Sequence, residues 1–330
     1  MSTTKYGDIT PRTAGYIARE MLRRGLPLLI LEKFMQAVPL PKNNTLSVLF
    51  RRYESLGLAL TALTEGVTPN SKKLTVTDVT VTLVQQGSIV ELTDVIADTH
   101  EDNVQNEAVT LSGEEAAQTI ETLRFNVLKA GTNKFYANGA ARTSVNTPIT
   151  TSIQKKIVRA LKRQNAMPIT SIVKSSTQFN TEAVLPCYVA VTHTDLENDI
   201  RDMDGFIDVK DYGHSVTPFE GEIGAVGQVR YLISNIFTAY EDAGGVINGM
   251  VSTSGVKADV YPIIYMAKHF WAGVALKGQF AIVPMVLNPG IARGGDELGQ
   301  RGTVGWKTYS QSVILNDFFG AVAEVGASDL

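Results

Sequence analysis

Alternating apolar and polar residues predict a long β-hairpin in the first third of the chain. Leu46, Val48 and Phe50 recur with a period of two, which is typical of a strand with one buried face. Residues 74–84 form a second run that is rich in valine and threonine, which suit a pleated sheet. Residues 65–73, between the two runs, combine the Gly, Pro, Asn and Ser of turns. Because an isolated hairpin is marginally stable in water, we expect this one to need external support.

The second strand of this hairpin has an irregular apolar pattern. Its apolar positions change parity between Val76 and Val79, so no single face of the strand collects them. Either a β-bulge intervenes, or the strand is contacted on both faces. The second alternative suits a strand that is held between two subunits. A further strand-like run follows at residues 88–95.

Apolar residues at helical spacing predict a long helix after the hairpin. One stripe has the spacing i, i+4, i+7, i+11, i+14 and consists of Ala116, Ile120, Leu123, Val127 and Ala130. An earlier stripe consists of Val104, Ala108 and Leu111. Ser112 and Glu115 resemble a capping box, so the pattern fits either one helix passing Gly113 or two helices meeting there. We predict one long helix, which ends at Gly131.

The residues after Pro148 differ in composition and predict a second, mixed α/β domain. A helix begins near Thr151, with Ile153, Ile157 and Leu161 facing inward. A short helix follows a capping box at Thr194 and Glu197, and its inward residues are Leu196, Ile200 and Met203. The clearest strands are 187–191, Val229–Ile233 and Tyr261–Met266.

Composition excludes several classes of protein. The net charge is −3 and the pI is about 5.9, without the basic excess of a dedicated nucleic-acid binder. A single cysteine rules out a disulfide within the chain and a cysteine-rich metal site, and it fits assembly in a reducing cytoplasm. The longest apolar run, residues 26–31, is too short to span a bilayer, so we expect no membrane partner.

Candidate catalytic residues cluster loosely around the one cysteine. Cys187, His193 and Asp195 invite the hypothesis of a thiol nucleophile with a base and an orienting group. The alternative is that Cys187 is a small apolar residue of a buried strand, and that Asp195 complements the dipole of a following helix. We favour the second interpretation.

Other motifs lack the spacing that their chemistry needs. The glycine-containing stretches 221–227 and 302–308 do not match a phosphate or dinucleotide loop, and the acidic stretch 202–208 does not match a calcium loop. The four histidines are scattered. We therefore predict no catalytic residue, no cofactor and no metal site.

One predicted helix carries a basic face, which consists of Lys155, Lys156, Arg159, Lys162 and Arg163. This face could contact DNA or an acidic neighbour, or it could be solvated. No aromatic residue lies among these side chains, so stacking on single-stranded nucleic acid is not expected.

The order of these elements and many short segments resemble HK97-type major capsid proteins of tailed phages, and in particular the family named after coliphage N4. The segments that carry the resemblance are YGDI (6–9), PRT (11–13), FRRYE (50–54), LTEGVTP (63–69), KLTVTD (73–78), DTHED (98–102), VLKAGTN (127–133), YANG (136–139), HTDLE (193–197), LGQRG (298–302), WKTY (306–309) and ILND (314–317). The segments span nearly the whole chain, and their shared order makes the resemblance specific. Residues 290–295 do not match the family.

The resemblance implies an α+β fold with five segments. These are an N-terminal arm (1–44), an extended hairpin called the E-loop (45–96), a peripheral P-domain with a long spine helix (97–147), an α/β axial A-domain (148–285) and a C-terminal return to the P-domain (286–330). No internal scaffold segment precedes the arm, so a separate scaffolding protein is expected.

The resemblance also implies a non-enzymatic function: self-assembly into hexamers and pentamers of an icosahedral head. Such a head encloses double-stranded DNA, bound non-specifically on its inner face, and carries a portal and decoration proteins. We expect the protein in the virion, after assembly in the cytoplasm of a bacterial host. The polar residues expected at contacts between subunits are Arg51, Arg52, Glu65, Lys72 and Lys73. An encapsulin-like compartment shell remains an alternative, and a cytosolic thiol hydrolase is a second one.

Overall fold

The computed structural model describes residues 29–329 except positions 42, 44, 61, 64, 67, 69 and 293 and the stretches 96–103, 174–180, 213–217 and 277–281. The first 28 residues of the predicted arm therefore lie outside the described residues. The helices are α1 (Val104–Lys129), α2 (Thr151–Arg163) and α3 (Glu197–Arg201). The strands are β1 (Gln36–Leu40), β2 (Ser47–Tyr53), β3 (Val76–Thr82), β4 (Val84–Thr93), β5 (Lys134–Tyr136), β6 (Ile169–Val173), β7 (Thr181–Thr192), β8 (Phe206–Asp208), β9 (Glu222–Val226), β10 (Val229–Ile233), β11 (Tyr261–Met266), β12 (Trp271–Leu276), β13 (Val283–Leu287), β14 (Arg301–Ile314) and β15 (Gly320–Val325).

An eight-stranded mixed sheet, here called the large sheet, forms the centre of the molecule. Its strands lie in the order β5-β15-β11-β7-β10-β9-β8, and β6 pairs with β7. β10 runs parallel to β7 and β5 runs parallel to β15, whereas the other pairs are antiparallel. Strands 229–233 and 261–266 have the bounds that the sequence predicts, and both are buried on both faces, although Arg230 interrupts the apolar run of the first.

The two faces of the large sheet are covered by different elements. On one face, Ile157 and Leu161 of α2 and Leu196 and Ile200 near α3 are fully buried against the sheet. The predicted inward positions of both helices are therefore confirmed, although the side chain of Thr150 rather than Thr151 caps α2. On the other face, the C-terminal end of α1 packs together with aromatic side chains, among them Trp271.

The predicted capping box of the short helix is wrong. A 3₁₀ turn over Thr194–Leu196 precedes α3, and the side chain of His193 accepts the backbone N–H of Asp195. His193, and not Thr194, is therefore the N-cap, the residue with extended backbone that immediately precedes the turn. Leu196 is buried in either arrangement.

A second sheet of five strands is built around the 14-residue strand β14. β4 pairs with one edge of β14, and β13 and β12 pair with the other edge, with β1 beside β12. β14 contains Gly305, where a Cβ atom would lie 2.5 Å from the carbonyl oxygen of Ser88 in β4. Glycine here permits close strand packing, and so part of the glycine-rich stretch lies in a strand and not in a flexible loop.

The long helix is confirmed as one element, since α1 runs through Gly113 without interruption. Ser112 is consequently buried inside the helix and is not a cap. The predicted apolar stripe is only partly right, because Leu111 and Leu123 are exposed. Two charged residues, Glu121 and Arg124, are buried instead.

The buried carboxylate of Glu121, on α1, binds the segment before β1 through hydrogen bonds. Its Oε1 accepts the backbone N–H groups of Ile30 and Leu31 at 2.9 and 2.6 Å. Its other oxygen lies 3.5 Å from Arg124, which also reaches Glu32 at 3.3 Å. Burial raises the pKa of the Glu121 carboxyl, although Arg124 and the two amides act in the opposite direction. Residues 30–34 thus pack on their own chain.

Candidate assembly interface

The hairpin of β2 and β3 is regular. Its register runs without a shift from Ser47 opposite Thr82 to Tyr53 opposite Val76, so the bulge alternative is excluded. Val81 is buried near the root of the hairpin, whereas Val76 is 46% exposed. Within one subunit the strand is therefore contacted on one face only. The second face is left for another molecule, or for solvent.

The structure places the five predicted contact residues on this hairpin and on its loop. Arg51 makes two hydrogen bonds to Asp78, at 2.9 and 3.0 Å, directly across the strand pair. The Arg51 hydrogen bonds hold the pKa of Asp78 below its usual range. The Lys72 ammonium donates to the carbonyl of Gly57. The other three, all exposed, are Arg52, Glu65 and Lys73.

A row of exposed leucines on the same loop was missed by the sequence reasoning. Leu56, Leu58, Leu60 and Leu63 have exposed fractions of 53%, 82%, 86% and 76%. The signal was present in the sequence as LxLxL at residues 56–60, between the predicted strand and the predicted turn at 65–73, where no element was assigned. Such a contiguous exposed apolar surface usually marks a binding site for another protein.

A second exposed apolar surface lies on the five-stranded sheet, on the face turned away from α1. Ile89, Gly305 and Met285 stand side by side on β4, β14 and β13, and Leu287 follows two residues after Met285. Ile89 is 64% exposed, and Met285 and Leu287 are about half exposed. The opposite face of the same strands buries Val304 against α1. We call this surface the apolar sheet face.

The basic face predicted for α2 is present. Its five basic side chains are all exposed and project from the side of α2 that is opposite the buried Ile157 and Leu161. α2 contains no acidic residue. Within the part of the chain that the structure describes, no ion pair involves any of these five side chains. The face therefore carries five positive charges that no described acidic side chain pairs with.

The proposed thiol constellation does not come together. Cys187 is buried in β7, and burial raises the pKa of its thiol to about 11, which disfavours the reactive thiolate. His193 lies six residues further along the extended chain, or about 20 Å at the rise of a strand. His193 and Asp195 do lie together, with 3.1 Å between Nδ1 of His193 and Oδ2 of Asp195, and Asp195 also accepts a hydrogen bond from Tyr261 at 2.7 Å. Cys187 is the member that is missing from the pair.

The described residues also offer little room for a ligand. A cavity between α1 and β14, lined by Gln86, Arg124 and Gln311, has a volume of about 20 Å³. That volume accommodates about one water molecule. Among the described residues, no group of three His, Cys, Asp or Glu side chains is arranged to hold a metal ion. No described helix is long and apolar enough to cross a membrane.

Comparison with known structures identifies the fold. The capsid of Ralstonia phage GP4 superimposes with a TM-score of 0.66 at 14% identity, over 90% of this chain and 88% of that one. The capsid of cyanophage Pam1 gives a TM-score of 0.64 at 14% identity, over 99% and 95% of the two chains. The head of Helicobacter pylori bacteriophage KHP40 gives 0.59 at 11% identity, over 89% and 87%. The HK97-type fold that the sequence resemblance implies is thus confirmed.

Sequence comparison identifies the family. No curated protein matches the chain in sequence. A family described as "Phage capsid protein" matches residues 76–323, which is three quarters of the chain. The chain therefore belongs to the phage capsid protein family, and it is a major capsid protein, the subunit from which a phage head is built.

Proposed function

We propose that this capsid protein assembles into the hexamers and pentamers of a closed icosahedral shell, and that each hairpin lies across the adjacent subunit. The row of exposed leucines at 56, 58, 60 and 63 is the observation that carries the proposal. In a free subunit these side chains are exposed to water, which is unfavourable in free energy. Assembly removes this cost by burying them. Burying one leucine completely contributes about 1.5–3 kcal/mol.

The apolar sheet face of a neighbouring subunit supplies the complementary surface. Ile89, Met285 and Leu287 lie on a part of the molecule that is distinct from the hairpin loop. One subunit therefore carries both a donor and an acceptor surface, which is the requirement for a heterologous contact that closes into a ring. The polar residues Arg51, Arg52, Glu65, Lys72 and Lys73 would flank this contact.

Substituting Leu58→Asp and Leu60→Asp together tests the hairpin contact. We expect soluble, folded subunits that form no closed particles in the electron microscope, because two leucines at about 1.5–3 kcal/mol each are lost from every contact. Val246→Asp is the matched control, since Val246 is also largely exposed but lies on a different loop. Deleting residues 60–73 should have the same effect as the double substitution. Normal shells from the double variant would contradict the proposal.

We also propose that the shell encloses double-stranded DNA in the virion and is assembled in the bacterial cytoplasm with a scaffolding protein, a portal and decoration proteins. Membership of the phage capsid family supports the first part. Nuclease-protected DNA in purified particles would test it. Particles that contain protein cargo and no nucleic acid would favour a compartment shell instead.

We further propose that the protein has a structural role and is not an enzyme. The buried Cys187 and its distance from His193 along β7 support it. Cys187→Ser should leave assembly intact. A thiol hydrolase activity of the parent that this substitution removes would overturn the assignment.

A further inference from the structure

The distribution of charge in the A-domain is strongly uneven. The 13 residues of α2 carry five basic and no acidic side chains, whereas the other 317 residues of the chain have a net charge of −8. Residues 195–211, which contain α3 and β8, carry seven acidic and two basic side chains, for a net charge of −5. We call these residues the acidic segment. One subunit thus presents two patches of equal and opposite charge.

Part of the acidic segment is neutralised internally. Arg201 pairs with Glu197 at 2.8 Å and with Asp208 at 2.6 Å, and Lys210 lies 3.6 Å from Asp208. These contacts hold the pKa of Asp208 below its usual range, through the backbone N–H of Lys210 and the guanidinium of Arg201. Both basic residues of the acidic segment, Arg201 and Lys210, therefore already form ion pairs within it.

Of the five other acidic side chains, Asp195 and Asp199 accept hydrogen bonds from Tyr261 and Ser328, which leaves three. Asp202, Asp204 and Asp211 are exposed, and none of them takes part in an ion pair within the described ranges. They follow α3 and flank β8, and β8 is the last strand at one edge of the large sheet. An edge position leaves these side chains open to a neighbouring molecule.

The two patches do not neutralise each other inside one subunit. α2 and α3 both pack on the same face of the large sheet, but no described ion pair joins the basic face to the acidic segment. A ring of identical subunits offers another solution, because each subunit can present its basic face to the acidic segment of the next. This is a heterologous contact, which needs two different surfaces on one chain.

Resting on the proposed shell function, we infer that the basic face of α2 docks on the acidic segment of an adjacent copy of this chain. The contact is formed by exposed charged side chains at the rim of an interface. It therefore determines the choice and orientation of the neighbour more than it adds affinity. It is separate from the apolar hairpin contact, because the two use different residues. DNA is the competing polyanion for the same basic face, and the experiment below distinguishes the two partners.

Two charge-reversed subunits test the inference. The first carries Lys155→Glu and Arg159→Glu, and the second carries Asp202→Lys and Asp204→Lys. Each alone places like charges at every contact, so we expect its critical concentration for assembly to rise on the order of tenfold. Mixed in equal amounts, the two variants restore an opposite-charge pair at every contact when they alternate. A ring of six can alternate but a ring of five cannot, so the mixture should recover hexamers and keep at least one like-charge contact in each pentamer. A chain that carries all four substitutions has an opposite-charge pair at every contact and should assemble as the parent does.

The mixture is its own control for overall charge, because its mean net charge equals that of the parent. Lys257→Glu, on an exposed loop outside both patches, controls for a single reversal. The effect should weaken in high salt, since the Debye length falls from about 8 Å at 0.15 M to about 3 Å at 1 M.

Each other outcome overturns the inference. If both variants assemble like the parent, the patches are solvated. If the first variant assembles normally but its particles retain less DNA, the basic face contacts DNA. If the chain with all four substitutions fails to recover, the two patches are not partners. Failure of the hairpin proposal would appear separately, as closed shells from the Leu58→Asp, Leu60→Asp variant.

Discussion

The hairpin and the large sheet use similar residues for opposite purposes. In the large sheet, strands such as β11 bury every side chain, and its apolar residues are satisfied within one subunit. In the hairpin, β2 and β3 pair only with each other, and the loop beyond them exposes one leucine after another. The comparison teaches that an apolar residue of this protein stabilises either the subunit or the shell, and that exposure in the subunit tells the two apart.

The largest expected effect comes from truncating one apolar residue in each region. Ile264→Ala in β11 should lower the free energy of unfolding by about 2–5 kcal/mol, because a fully buried side chain leaves a cavity. Leu58→Ala in the hairpin loop should leave that free energy unchanged but weaken assembly. Urea denaturation of subunits below the assembly concentration, with light scattering above it, measures both. An equal loss of subunit stability in the two variants would contradict the idea that exposed hairpin residues stabilise only the shell.

A smaller effect is expected from the ion pair at the edge of the large sheet. Glu324 on β15 is completely buried and accepts two 2.7 Å hydrogen bonds from Arg142, and Lys134 lies 3.4 Å away. Arg142→Ala removes the stronger partner of a buried carboxylate, and such losses cost about 3–5 kcal/mol when no other cation remains. Since Lys134 remains, we expect about 2–3 kcal/mol. Urea denaturation of Arg142→Ala and of Lys134→Ala provides the measurement and its control.

The buried Glu121 should give a pH dependence of stability that is opposite in sign to that of the exposed Asp78, whose pKa is lowered. Burial raises its pKa in the folded state, so the folded subunit binds the proton more tightly than the unfolded chain does. Its contribution to stability is therefore full below the unfolded pKa of about 4.5 and is lost as the pH rises through the higher folded pKa. The slope reaches at most about 1.4 kcal/mol per pH unit. Denaturation of the parent and of Glu121→Gln across pH 4–8 should differ by this slope, and parallel curves would contradict the assignment.

The smallest effect is expected for the exposed pair of Arg51 and Asp78. Its geometry resembles that of Arg142 and Glu324, with two hydrogen bonds, but both side chains lie in solvent. Arg51→Gln should therefore leave the urea midpoint of the subunit unchanged. A midpoint shift as large as that of Arg142→Ala would show that burial does not set the strength of these pairs.

Several features could be predicted from the sequence because they depend on neighbouring residues. The single long helix, the strands 229–233 and 261–266 and the pairing of 47–53 with 76–82 all follow from local periodicity and turn residues. The resemblance to HK97-type capsid proteins came from the order of short segments along the whole chain, and the family match confirms it. The narrower likeness to the N4-type family, the division into five segments and the five polar contact residues stay predictions.

Tertiary structure alone decided which charged side chains are buried and which strands of the second sheet pair. Local spacing could not show that Glu121 is buried, because the amides that satisfy it belong to Ile30 and Leu31, about 90 residues away. Nor could it show that residues 301–314 form one strand, since residues 301–310 pair with β4, more than 200 residues earlier, and residues 310–314 pair with β12. The sequence by itself determined the elements that have a clear local period, such as α1, α2 and β11. Contacts between distant segments determined which of their apolar and charged side chains stay exposed, and those are the side chains left for the neighbouring subunit.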